Sequence, residues 1–446
     1  MLIDFKVMNF LSFEEQESLS LVAGKGRNFD NRLYKDKKNK ILKFSALFGA
    51  NGSGKSNFVK AIYFSREYIK RGDNRATIQK YYKINPAAKE QPTSFEYKIK
   101  VGEKIYTYGF ELLLIRNQII KEWLICNNSR SDELIFSHDR GNKNFILGNH
   151  FKNSELRNRL FLYADGLDAN NNALFLNNIN SYNNLYTDYN ETKILKDVYN
   201  WFIHKLKVKF PDSVVSDYAY FMSESNMDEI LKFFKDFDLS ISNYKFIKCS
   251  QEEIALKLPK EIFNDFIGNV EKALLEDDDI EHNRVMFGLA DDFYIAKMEN
   301  GQMCFDTIQF YHENTDVPFH MHEESDGTKK IFKLLEILFQ QENDVVYIVD
   351  EIDRCLHPFL TYNFIHAFLK NAKTKNCQLI VTTHESLILD FKLLRKDEVR
   401  LVTKYNGKSK IDSLADSSIR ADKVLIKNYL YGQKGIPNIK DNAYKK

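Results

Sequence analysis

Gly49-Ala50-Asn51-Gly52-Ser53-Gly54-Lys55-Ser56 has the residue types and spacing of a loop that wraps a chain of phosphates. The backbone must curl so that its N–H groups point inward, and a side chain at Gly49, Gly52 or Gly54 would obstruct that path. Lys55 is then expected to face the β- and γ-phosphates, and the Ser56 hydroxyl is the expected magnesium ligand. Far along the chain, Val345-Val346-Tyr347-Ile348-Val349-Asp350-Glu351 supplies what such a loop lacks. Asp350, at the end of an apolar run, can hold magnesium through a water, and Glu351 beside it can polarise an attacking water. His384 follows a second apolar run, Leu379 to Thr383, from which its imidazole could reach the γ-phosphate or the catalytic water. The chemistry these residues point to is binding and hydrolysis of a nucleoside triphosphate, with ATP and Mg2+ as the ligands. No Asn-Lys-x-Asp run is present, which argues against guanine.

Each group needs an element to hold it. Lys43 to Phe48 reads as a buried strand, and Phe58, Val59 and Ile62 after the loop read as one face of a helix whose N-terminus adds positive potential. Val345 to Val349 and Leu379 to Thr383 are continuous apolar runs of the kind covered on both faces. Between the loop-helix and the middle of the chain, Ser94 to Val101, Lys104 to Leu112 and Ile119 to Ile125 read as an antiparallel meander, with Gly102 and Asn117 near the turns. Leu2 to Met8 and Ser18 to Val22 read as two further strands. Glu398 to Lys404 followed by Asn406-Gly407 resembles a closing hairpin.

With 446 residues, 64 basic and 62 acidic side chains and a formal charge of +2, the chain can bury a large core and carries no overall charge bias toward nucleic acid. Its five cysteines, Cys126, Cys249, Cys304, Cys355 and Cys377, are scattered without paired metal-ligand spacing, so reduced thiols are expected. No secretory leader opens the chain and no apolar run approaches the length of a membrane span, so a cytoplasmic protein without membrane contact is expected. His320 and His322 alternate on one strand face near His312 and Glu323, yet an ordinary strand end is the expected reading. The basic loop Lys35 to Lys40 and the alternation Lys205, Lys207, Lys209 are read as solvated faces.

From these textures the organisation is expected to be residues 1–150, the first half of a nucleotide-binding head; 151–283, an inserted, mainly helical lobe; 284–425, the second half of the head; and 426–446, a tail. The acidic run Glu276 to Glu281 is read as a solvated boundary. No sustained heptad runs through the insert.

The order of motifs carries a resemblance. Gly49 to Ser56 with Asn57, then Glu324-Ser325-Asp326-Gly327-Thr328-Lys329-Lys330, then Asp350-Glu351-Ile352-Asp353 with Leu356-His357-Pro358, then Thr382-Thr383-His384-Glu385-Ser386 resembles the ATP-binding-cassette heads of the structural-maintenance, RecF and OLD type. Within these it is most similar to the AAA-like ATPases of bacterial abortive-infection and anti-phage systems, whose tail Tyr429 to Ile439 also resembles. The resemblance implies an α/β P-loop head, a mixed sheet plus an antiparallel β meander, with an inserted lobe. It implies that Ser325, Gly327 and Thr328 form a signature that caps the γ-phosphate of the opposite subunit, and that Leu356-His357 lies in a loop connecting two composite sites. A small hydroxyl, a glycine and a helix start do make an anion site. Leu11 stands in Asn9-Phe10-Leu11-Ser12 where many relatives carry an arginine. The partners so implied are a second copy of the chain, as a homodimer or higher oligomer, and a separately encoded effector, a nuclease or toxin. OLD-type relatives carry a nuclease domain after the ATPase, whereas the residues after His384 read as hairpin and tail, so no nuclease is expected here. The alternatives are a repair or recombination ATPase acting directly on DNA, and a scaffold that holds ATP without using its turnover.

Overall fold

A computed structural model describes residues 1–416 except 27, 36–39, 73–78, 129–130, 170–171, 181–183, 214–223, 277–283, 290–291, 300 and 340–341. The centre of the basic loop, most of the acidic run and the tail 426–446 lie outside the described residues. The chain divides into two compact units: Met1–Pro211 with Glu342–Arg354 and Ile365–Lys446, and Asp212–Gln341 with Cys355–Phe364.

Two large sheets, with a two-stranded ribbon at Tyr34–Lys35 and Lys40–Ile41 beside them, are described in the first unit. Three apolar runs form strands at Phe44–Phe48, Val346–Val349 and Gln378–Thr383, every residue of which is buried. Such strands need neighbours on both edges and cover on both faces, and they lie in a six-stranded sheet in the order Leu206–Lys209, Val346–Val349, Gln378–Thr383, Phe44–Phe48, Val399–Tyr405, Lys408–Ser413. The first five run parallel and the last closes an antiparallel hairpin. Asn406 and Gly407 turn that hairpin at φ 48° and 82°, the double left-handed step that an Asn-Gly pair takes most easily.

The second sheet is the antiparallel meander. Its seven strands run in the order Asn144–Leu147, Glu133–Asp139, Gln118–Asn127, Lys104–Leu113, Thr93–Val101, Leu2–Met8, Glu17–Ser20. Gly102 at φ 56° and Asn117 at φ 49° make the turns where the sequence places them. The helix Lys55–Arg71 shares a core with both sheets. Phe58 packs edge-on to Phe5 at 5.4 Å, Phe64 meets Phe95 at 5.5 Å and Tyr68 stacks on Phe110 at 5.8 Å. Each fully buried aromatic contributes about 2–3 kcal/mol. Gln378 ties the sheets together: its amide accepts from Leu2 N at 2.6 Å and donates to the carbonyls of Leu2 and Leu42, both at 2.9 Å.

Three expectations are corrected. The helices Ser154–Ala169, Phe175–Asn180 and Lys193–Asn200, expected in the inserted lobe, belong to the first unit, because their apolar faces bury against the meander. Phe175 packs on Phe136 at 4.9 Å, and Phe202, in the turn Trp201–Lys205 that continues the last of these helices, packs on Tyr97 and Tyr108 at 5.0 and 5.5 Å. Second, the alternation at Lys205, Lys207 and Lys209 is no solvated face: Leu206–Lys209 is a parallel strand beside Val346–Val349, and Lys209 is buried. Third, the boundary at residue 284 does not hold, because the second unit carries a sheet beside its helices. Ile241–Cys249 pairs with Gln302–His312, which continues through Asp292–Glu299 to Arg284–Leu289, so residues 284–341 complete a sheet of the second unit rather than the head. The helices Glu224–Asp236, Lys260–Glu276 and Asp326–Phe339 belong to it as well. Among the described residues no helix is long and apolar enough to cross a membrane.

One buried carboxylate fastens the helical cover to the meander. Glu122 is fully buried and accepts from Tyr108 Oη at 2.9 Å and from the backbone N–H groups of Phe175 and Leu176 at 2.5 and 3.0 Å. Burial pushes its pKa upward and those donors oppose the shift. Glu122→Ala, which strands three donors in the core, is expected to cost on the order of 3 kcal/mol in urea unfolding of the full chain, and Glu122→Gln, which keeps an acceptor, clearly less.

Candidate functional site

The loop after Phe48 has the shape its glycines require. Gly52 and Gly54 sit at φ 75° and 114°, and a Cβ on Gly49 would come within 2.3 Å of the Val402 carbonyl. Gly54 caps the helix Lys55–Arg71 without any side-chain hydrogen bond, so the first N–H groups of that helix face the loop uncapped. Lys55 Nζ donates to the carbonyls of Gly49 at 2.7 Å and Ala50 at 3.1 Å, and lies 3.5 Å from His384 Nδ1. Burial lowers the Lys55 pKa to about 8, against the pull of Asp353, Asp350 and Glu351.

The strand order brings the remaining residues in. Gln378–Thr383 lies between the loop strand and Val346–Val349, all three parallel, so loop, His384 and Asp350-Glu351 emerge side by side at the carboxyl ends. That edge is where open α/β sheets hold ligands. Asp350 Oδ1 accepts from Ser56 Oγ at 3.1 Å and from Thr382 Oγ1 at 2.6 Å, and Thr382 Oγ1 in turn accepts from Glu351 N at 2.8 Å. Glu351 is held at φ 48°, a left-handed conformation that costs a residue with a side chain about 1 kcal/mol or more. His384 N donates to Asp353 Oδ2 at 3.1 Å. Burial, and then Lys55, lower the His384 pKa, which favours a neutral imidazole.

Asn51, Gly52, Ser53, Gly54, Lys55, Ser56, Asn57, Glu351 and His384 line one cavity of about 410 Å³. Its chemistry fits a magnesium nucleotide. Ser53 Oγ is buried with no hydrogen-bond partner among the described residues. Ser56 and Asp350 place hydroxyl and carboxylate oxygens in contact, hard donors of the kind Mg2+ takes.

Of the residues singled out in the sequence, Gly49 to Asn57, Asp350, Glu351 and His384 therefore come together in the first unit. Ser325, Gly327 and Thr328 lie in the second. There the helix starts at Asp326, two residues before Thr328, and Ser325 is its N-cap: Thr328 N donates to Ser325 Oγ at 3.1 Å, and the two hydroxyl oxygens are 2.8 Å apart. Ser325 is exposed, while the Gly327 backbone approaches Cys355, so that an added Cβ would meet its carbonyl at 3.1 Å. His312 is engaged with Glu324 at 2.7 Å and His322 with Asp292 at 2.9 Å, and among the described residues no group of His, Cys, Asp and Glu could hold a metal ion. Sequence reasoning named Thr382, Asp353 and Ser12 within motifs without giving them a role, and missed Ser409 altogether. The hydroxyl run Thr382-Thr383 just before His384 was a signal for the first of these.

The pKa of Lys55 gives a pH dependence. With its pKa lowered to about 8 the amine is increasingly neutral above that pH, and a phosphate is attracted to the charged form. ATP binding should thus take up a proton above pH 8, with affinity falling by up to about tenfold per pH unit. Titration calorimetry at pH 9 in buffers of different ionisation enthalpy reads that uptake directly.

Residues 44–390 match the family described as "AAA domain, putative AbiEii toxin, Type IV TA system". No curated protein matches the chain significantly. Similar solved structures include a SMC head bound to the C-terminal winged-helix domain of ScpA, at 13% identity and TM-score 0.41 over 95% of this chain and 99% of that one. They also include the SMC head domain from Thermotoga maritima, at 16% and 0.33 over 92% and 98%, and a Pyrococcus furiosus SMC head with an extended coiled coil bound to the C-terminal domain of ScpA, at 14% and 0.40 over 97% and 99%. The family match runs from the loop strand past His384 and so spans the phosphate loop, Ser325 to Thr328 and the Asp350-Glu351 pair; this chain belongs to the AAA-domain family of that description.

Proposed function

We propose that this chain is an ATP-driven switch that hydrolyses ATP at sites shared between two copies, and that it acts as a cytoplasmic sensor or scaffold controlling a separately encoded effector, a nuclease or toxin, in bacterial anti-phage defence. The observation that carries the reading is the convergence of Lys55, Ser56, Glu351 and His384 on one cavity, with Asp350 tied to Ser56 behind it.

Lys55 and the open N-terminus of its helix bind the β- and γ-phosphates. When Mg2+ is bound, it neutralises charge on those phosphates, and Ser56 and Asp350 are the residues to hold it. Glu351 lines the cavity with its backbone pinned by Thr382, which orients its carboxylate to take a proton from the attacking water. His384, neutral by burial, can accept a hydrogen bond from that water or donate one to a γ-phosphate oxygen. Ser325, Gly327 and Thr328 of a second copy would cap the phosphate from the other side: the hydroxyl of Ser325 is exposed and stands at a helix start. Binding then closes the dimer and hydrolysis reopens it, so conformation carries the message. The family description, which names a toxin–antitoxin system, supports the link to defence.

The test is a pair of substitutions. Glu351→Gln should lower turnover by about 100-fold or more while ATP binding survives, and should accumulate an ATP-dependent dimer in light scattering. Lys55→Ala should lose binding and dimer together. Unchanged turnover in Glu351→Gln would remove the assigned role, and turnover that depends on added DNA would favour direct action on DNA. Thr382→Val, which keeps the shape and deletes the buried hydroxyl shared by Asp350 and Glu351, should lower kcat by about tenfold or more in protein that still folds, at a stability cost of about 1–3 kcal/mol.

A further inference from the structure

The C-terminal hairpin reaches the phosphate loop from behind. Ser409, on its last strand, is buried, and its Oγ lies 2.6 Å from the Ser53 carbonyl and 2.8 Å from Ser12 Oγ. Asn57 Nδ2 donates to Ser12 Oγ at 2.9 Å, and Ser409 N donates to Ser12 O at 2.8 Å. A carbonyl only accepts, and a hydroxyl has one hydrogen to give. The proton order is therefore settled along the chain: Asn57 donates to Ser12, Ser12 to Ser409, and Ser409 to the Ser53 carbonyl.

Three segments far apart in sequence thus meet at one peptide bond, the one joining Ser53 to Gly54. Ser409 and Ser12 do not line the nucleotide cavity, so the Ser53 carbonyl is turned to its outer side. A carbonyl turned inward would set a partial negative charge against the phosphates, whereas this orientation leaves the N–H groups that follow it to face them. The fit is close: a Cβ on Gly54, which sits at φ 114°, would fall 2.2 Å from Ser409 Oγ and 2.9 Å from Ser12 Oγ. At the loop's other end the same hairpin presents the Val402 carbonyl to Gly49. The hairpin is itself anchored to the N-terminal turn, through Ile411 N to Glu17 Oε2 at 2.8 Å and Lys408 Nζ to Glu14 Oε2 at 2.5 Å.

We propose that Ser409 is a positioning residue for triphosphate binding: through Ser12 and Asn57 it presets the Ser53–Gly54 peptide so that the loop is shaped for phosphate before the nucleotide arrives. The inference rests on the ATP-binding reading above. Removing the hydroxyl frees the peptide to flip, and each binding event must then restore it. The loss should fall on affinity and not on the chemical step, because Ser409 touches none of the groups assigned to water activation.

The experiment measures affinity for a non-hydrolysable ATP analogue with Mg2+, and KM and kcat for ATP, in the full chain carrying Ser409→Ala, Ser12→Ala or both. Each single variant should weaken binding and raise KM about tenfold with kcat within twofold. The double variant should lose little more than either alone, since both break one chain of hydrogen bonds. A merely structural role would lower the thermal midpoint and leave KM in place. Affinity within twofold of the parent in folded Ser409→Ala, or additive losses in the double variant, would overturn the proposal. If Ser409→Ala does not fold, Ser12→Ala is held to the same expectation. Lys55→Ala, measured alongside, separates the two readings: if it too binds like the parent, the ATP site itself is wrong, and if it alone loses binding, only the role of Ser409 fails.

Discussion

One carboxylate oxygen couples the parts of the site. Asp350 Oδ1 receives hydrogen bonds from the hydroxyl of Ser56, at the start of the loop helix, and from that of Thr382, on the strand between. The geometry exists only because three apolar strands lie parallel in the order Val346–Val349, Gln378–Thr383, Phe44–Phe48, with their carboxyl ends in line. Reverse the middle strand, and Thr382 and His384 would lie at the opposite edge. Because those strands are buried along their whole length, the order is paid for by the core, and the site inherits a rigid base.

A buried ammonium stands among carboxylates at the loop. Lys55 is buried with, among the described residues, two carbonyls and His384 within hydrogen-bond reach, and Asp353, Asp350 and Glu351 provide a negative surround that partly offsets its desolvation. A lysine whose pKa is lowered to about 8 in the free protein gains from an arriving phosphate more than a solvated lysine would, since the ligand restores the charge that burial opposes. The depressed His384 pKa has the same origin and adds no second positive charge beside Lys55 at neutral pH.

The hairpin Val399–Ser413 and the N-terminal turn form a second support under the loop, independent of the Asp350 contact. One support acts on the helix start at Ser56, the other on the Ser53–Gly54 peptide. Between them the loop is held at two points, the Ser56 hydroxyl and the Ser53–Gly54 peptide.

Local patterns were enough to read the loop, its strand and helix, the meander with turns at Gly102 and Asn117, the Asn406-Gly407 hairpin and the Asp350-Glu351 pair, because each depends on neighbours in sequence: glycine freedom, apolar runs, alternation. The membership of the helices between Ser154 and Asn200 was not legible. Their periodicity shows that they bury a face and is silent on which surface covers it, and Phe136, Tyr97 and Tyr108 decided that. Lys209 looked solvated because alternation was the only signal, whereas a strand partner at Val349 makes it buried. Thr382 and Ser409 are ordinary hydroxyls until strand order and a hairpin bring them to Asp350 and Ser53. Residue types dictated by local backbone demands can be read along the chain, while roles that arise from contacts hundreds of residues apart are set by tertiary packing alone.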